Sequence, residues 1–129
     1  TFLFIDLIWL SFLAKDFYNN NLGYLLRDDY LLTPIAFFYL IFTFALYILI
    51  IKPYMLSKES LKNALIKGLL FGVTTYATYD LTNLATIQNW PIIVTVVDII
   101  WGGLLSFTVT YIQLIAVNML KMPSLTLSK

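Results

Sequence analysis

The sequence predicts an all-α polytopic membrane protein, a bundle of four transmembrane helices formed as a single domain over residues 1–129. Two observations predict it. Hydrophobic residues fill 60% of the 129 positions and charged residues only 12%, whereas soluble domains carry roughly 25% charged residues, so a water-facing surface cannot be built from this composition. The apolar residues also gather into four runs that approach or exceed the roughly 20 residues needed to cross a bilayer core about 30 Å thick.

The first helix is expected over about residues 1–14, a short run interrupted by Asp6. Because the run begins at once and the first residue is Thr1, a few further native residues are expected ahead of it. An aspartate inside the apolar region, and no small-residue cleavage site after Leu13, argue for a retained helix over a cleaved signal peptide. In the segment 15–33, Phe17, Tyr18, Leu22, Leu25 and Leu26 are interspersed with polar residues. It reads either as an interfacial helix or as an ordinary polar loop.

The second helix is expected over 34–51, a stretch without a charge; Pro34 suits a first helical turn and Lys52-Pro53 ends the run. The third is expected over 61–87 and the fourth over 91–120. Asn89-Trp90-Pro91 makes a tight turn between them, with Trp90 placed as an interfacial anchor.

Lysines and arginines near helix ends set orientation. Lys52, Lys58, Lys62 and Lys67 surround the second connection and Lys121 and Lys129 lie near the C-terminus, against only Lys15 and Arg27 on the other side. Both termini and the middle loop are therefore expected in the cytoplasm, with 15–33 and the Asn89 turn outside.

Cysteine and histidine are both absent. That removes disulfides, thiol and imidazole chemistry and the usual zinc, copper and haem ligand sets. A protein-supplied metal site would need oxygen ligands alone, and neither a metal site nor a cofactor is expected. A net charge of +1 gives no basic field for nucleic acid, so membrane lipids are the expected surroundings.

Within the spans the carboxylates are Asp6, Asp80 and Asp98. Counted at 1.5 Å per residue, all three lie about 10–14 Å below the outer interface. Each costs roughly 2.5–3.5 kcal/mol to place in a bilayer, and no Lys, Arg or His lies at that depth to pair with them. They must be protonated, share a proton, bind a cation or face water. The plainer account is that they join helices by hydrogen bonds, with Thr74, Thr75, Thr78, Thr82, Asn83 and Thr86 as candidate partners.

Asn83 shares a helix face with Asp80, and Tyr76 lies one turn earlier. Asp98, Gly102, Ser106 and Thr110 form a stripe of small and polar residues. Gly68 and Gly72 form a small pair on the third helix, and Tyr39, Thr43 and Tyr47 a stripe on the second. All are read as marking the bundle interior. The sequence Asp6-Leu-Ile-Trp9 is echoed by Asp98-Ile-Ile-Trp101. Each Trp is placed either to give a bound cation a π face or to donate its N–H to a carboxylate.

The stretches Tyr76-Ala-Thr-Tyr-Asp80-Leu-Thr-Asn83, Trp90-Pro91, Asp98-Ile-Ile-Trp101-Gly102 and Asp6-Leu-Ile-Trp9, with Ala14-Lys15-Asp16-Phe17-Tyr18, run through nearly the whole chain. They resemble the bacterial inner-membrane family known as domain of unknown function twenty-one seventy-seven. The resemblance implies a small four-helix membrane protein without an assigned activity, and Asp6, Trp9, Tyr76, Asp80, Asn83, Asp98 and Trp101 as residues the family shares.

Three functions compete. The leading expectation is an intramembrane acidic site of Asp6, Asp80, Asn83 and Asp98, supported by Trp9, Tyr76 and Trp101, that binds or translocates protons or a small cation. Four helices are few for a carrier, so a homodimer is expected with it. The second is a lipid-modifying enzyme in which paired acids do acid–base work beside a groove open to lipid. The third is an accessory or scaffold protein whose acids are satisfied by neighbouring hydroxyls and amides.

Overall fold

A computed structural model describes residues 1–27, 29–56 and 59–126, with side chains through residue 120. Lys58, Lys129 and the side chain of Lys121, on which the orientation partly rests, lie outside the described residues. Among those described the chain is all helix and turn.

Helix α1 (Phe2–Ile8) continues through a π-helical turn, Trp9–Leu13, which the Ala14 N–H closes on the Trp9 carbonyl. Short α2 (Lys15–Leu22) follows. It is amphipathic: Lys15, Asp16, Asn19 and Asn20 are exposed, while Leu22, Phe17 and Tyr18 turn inward. The segment 15–33 is thus helical in its first half, and α2 packs down on protein. With Trp90 and Val94 it makes a small apolar cluster over the turn between the last two helices.

Trp90, placed by the sequence as an interfacial anchor, is buried in that cluster and donates its indole N–H to Thr95. The reason is α2 itself, which covers the turn. Tyr24 adds a hydrogen bond to the Asn89 carbonyl, and Asn89 takes the left-handed conformation (φ 63°) that asparagine tolerates in a tight turn.

Helix α3 (Leu32–Leu46) does not stop at Lys52-Pro53. A π-helical turn, Tyr47–Ile51, carries it into α4 (Lys52–Leu56), giving one continuous, mostly apolar helical stretch of 25 residues. Proline in a regular helix clashes with the carbonyl four residues back, and the wider turn just ahead of Pro53 accompanies its place in the helix. The expected interior stripe is also corrected. Phe42, Leu46 and Ile50 are buried, whereas Thr43 and Tyr47 are exposed and only Tyr39 of that stripe turns inward. Large apolar side chains that interlock with the core take the inward face, and the hydroxyl-bearing positions fall one residue to the side.

Helices α5 (Leu61–Thr86) and α6 (Ile92–Thr126) form the longest contact. Ser60 caps α5 by accepting the Asn63 N–H. Every fourth residue of α5 from Ala64 faces inward: Ala64, Gly68, Gly72, Tyr76, Asp80. The matching row on α6 runs the other way, from Thr110 through Ser106 and Gly102 to Asp98. Gly68 lies against Thr110, Gly72 against Ser106 and the Gly102 backbone, and Tyr76 against Gly102. Rows at four-residue spacing interdigitating in this way are the commonest mode of helix packing. Here they approach closely because glycine leaves room for the opposing backbone.

The rest of the core is Phe2, Phe42, Leu46, Ile50 and Ile51 with Leu105, Val109 and Leu114. At the end away from α2, Tyr54 and Asn118 are hydrogen-bonded, and Lys67 pairs with Glu59 at 2.6 Å. The outward faces are apolar, with Phe37, Leu40, Ile41, Phe44, Ile100 and Leu104 all more than half exposed. Leu32–Leu56 and Ile92–Leu120 are long and apolar enough to cross a bilayer.

Candidate functional site

The zipper between α5 and α6 ends, at the α2 side, in two acids. Asp80 and Asp98 close the two rows, line one cavity and lie close enough for their carboxyls to interact. Asp80 is 0% exposed and neither of its oxygens receives a hydrogen bond from a protein donor. Four of its candidate partners are otherwise engaged: Thr75, Thr78, Thr82 and Thr86 all donate to carbonyls one turn back on their own helix. Asn83 also has a buried, unpaired amide nitrogen. It lies on the face expected, yet makes no hydrogen bond to either acid.

Asp98 has one donor, Tyr18 of α2, through a short hydrogen bond. Tyr18 in turn accepts the Trp9 indole N–H at 3.2 Å. Burial, then the bond to Asp98, pushes the Tyr18 hydroxyl above its ordinary pKa, so it stays a donor.

Asp6 is differently placed. One oxygen accepts the Trp101 indole N–H at 3.0 Å and the other the Tyr39 hydroxyl at 2.8 Å. The two Asp-x-x-Trp motifs therefore meet across the bundle. Trp9 and Trp101 stack with centroids 4.2 Å apart and planes 10° from parallel. Each indole N–H serves a group beyond its own helix: Trp101 reaches Asp6, and Trp9 reaches the tyrosine that holds Asp98. Tyr76 lies among Asp6, Asp98, Tyr18 and Tyr39, close enough to interact electrostatically with all four.

All three acids thus belong to one polar layer with three grades of satisfaction: two donors on Asp6, one on Asp98, none from the protein on Asp80. Tyr18 and Tyr39 complete it, and the sequence reading had put neither in the site. A cavity of about 280 Å³ adjoins the pair, walled by Phe38 and Phe42 of α3, Thr75, Tyr76 and Tyr79 of α5, and Asp80 and Asp98. Phe38 and Tyr79 are themselves exposed, so the cavity opens on the flank of the bundle, between α3 and α5.

Two neighbouring carboxyls held away from water oppose being charged together without a counter-ion. The arrangement can hold a proton between them or offer negative charge to a cation, and it can deliver or collect a proton at the cavity wall.

No curated protein and no solved structure matches the chain. Over residues 1–115 it matches the family model described as predicted membrane protein (DUF2177), and the chain belongs to that family.

Proposed function

We propose that this membrane protein crosses the bacterial inner membrane with four helices, both termini in the cytoplasm, and that its Asp80–Asp98 pair binds one proton and exchanges it with the outer face through Tyr18. One observation carries the reading: Asp80 is fully buried, receives no protein hydrogen bond and has another carboxyl as its polar neighbour. A structural acid is expected to recruit donors, as Asp6 does. An acid left without them, beside a second acid, is arranged to change its protonation state. The half-buried Tyr18 links Asp98 to the outer side, and its hydroxyl can relay a proton by rotating between donor and acceptor roles.

The four-span reading adds the shorter apolar helix Phe2–Leu13 and the 26-residue helix Leu61–Thr86 to the two long apolar helices; what favours it is that the acids these two helices carry, Asp6 and Asp80, join Asp98 in one polar layer. Lys52, Lys62 and Lys67 belong to the end of the molecule opposite α2, consistent with a cytoplasmic middle loop.

An infrared titration of the protein in lipid nanodiscs across roughly pH 4 to 9 tests the site. The expected result is a protonated-carboxyl band that titrates as a single proton and is lost in both Asp80→Asn and Asp98→Asn. A band that survives in both variants, or the absence of any such band, overturns the proposal.

A further inference from the structure

Beside Thr75, whose hydroxyl is engaged by the Phe71 carbonyl, the wall of the flank cavity combines two kinds of surface. Phe38, Phe42, Tyr76 and Tyr79 supply aromatic rings, and Asp80 and Asp98 supply the charge. Aromatic rings around a carboxylate are the surface that recognises an ammonium ion, through the negative ring faces and the acid together. Asp80 gives an independent observation that points to a ligand. It is a fully buried carboxyl lining the cavity, with no protein group donating to either oxygen.

The chemistry of the wall narrows the ligand. Among the described residues no group of three or more acids is placed to hold a metal ion, and a divalent cation of the calcium or magnesium type takes six or more oxygen ligands. A zwitterionic lipid headgroup would bring a phosphate beside two acids, with no Lys or Arg on the wall to receive it. The cavity, at about 280 Å³, sits at the small end of ligand pockets. It suits an ammonium with one ring or a short branched chain. Its mouth lies between the exposed Phe38 and Tyr79, on an apolar flank, so the ligand enters from the lipid.

We propose that the cavity between α3 and α5 binds a lipophilic organic ammonium ion taken from the membrane, its charge held by Asp80 and Asp98 and its apolar body by the surrounding aromatic rings. This rests on the acid-pair reading above and adds the class of cation. Binding requires an ionised carboxyl, so acidification weakens it, and a fully protonated pair releases one proton as the ammonium enters.

The test is equilibrium binding of radiolabelled benzyltrimethylammonium to the protein in phosphatidylglycerol nanodiscs, with neopentylbenzene as its uncharged isostere. Saturable binding is expected, weakened about tenfold or more in Asp80→Asn and roughly three- to tenfold in Phe38→Leu, and weaker at low pH. The uncharged isostere is expected to show no difference between wild type and Asp80→Asn. Absence of saturable binding, or binding unchanged in Asp80→Asn, overturns the proposal. Competition by added phosphatidylethanolamine would assign the site to a lipid headgroup and overturn it too. The infrared titration on the same samples separates the two readings: a titrating pair that ignores benzyltrimethylammonium leaves the proton reading standing and removes this one.

Discussion

Asp6 and Asp80 look alike in the sequence, each a lone acid in an apolar helix, yet their surroundings give opposite expectations for the same substitution. Asp6 accepts from Trp101 and Tyr39. Asp6→Asn turns an NH₂ group toward one of those two donors and is expected to cost about 1–3 kcal/mol, read as a lower melting temperature in detergent. Asp80→Asn removes a buried acid that no protein donor serves, and its melting temperature is expected to hold or rise. Equal losses in both would return Asp80 to a structural role.

The sequence placed all three acids at one depth because helical rise is constant and depth can be counted. It missed Tyr18 and Tyr39 because their partners lie 80 and 33 positions away. Nothing in a polar connecting segment marks which hydroxyl will point inward. Trp101 was legible as the partner of an acid, but its bond crosses to Asp6 on another element, and Trp9 donates to Tyr18 in place of a carboxylate; spacing along one helix reveals neither.

At the scale of the helix, the glycines set the geometry of the acid pair. A Cβ on Gly72 would collide with the Gly102 carbonyl, and one on Gly102 with the Tyr76 ring. Gly72→Ala is therefore expected to force α5 and α6 apart at a cost of about 1–3 kcal/mol, seen as a lower melting temperature in detergent. Ser106→Ala, which removes a hydroxyl without a hydrogen-bond partner, is expected to be tolerated. These rows were readable because small residues at four-residue spacing have few uses other than close approach. The stripe on α3 was not, because Tyr39, Thr43 and Tyr47 share that spacing with Phe42, Leu46 and Ile50, and in an apolar helix periodicity alone does not choose between two adjacent rows. Continuation through Pro53 was equally hidden, since the π-helical turn that accompanies it leaves no mark in the composition.

Across the whole molecule, the polar layer is closed by elements from opposite ends of the chain. Trp9 follows α1 by one residue, Trp101 lies in α6, and α2 lies over the turn between α5 and α6. The membrane character was legible from composition, since no arrangement of so few charges covers a soluble surface. Docking of α2 was not, because an amphipathic segment is equally suited to a lipid interface and to a protein surface.

The stacked indoles have an optical consequence. The chain has three tryptophans, and two of them are held nearly parallel at 4.2 Å, close enough for their transitions to couple. The third, Trp90, sits in a separate cluster. The protein is expected to show an exciton couplet in its ultraviolet circular dichroism that Trp9→Phe abolishes and Trp90→Phe leaves in place. A couplet insensitive to Trp9→Phe would mean that the first helix does not rest against the last. The coupled pair is thus an intrinsic gauge, readable without a label, of whether the two ends of the chain are joined beside the acids.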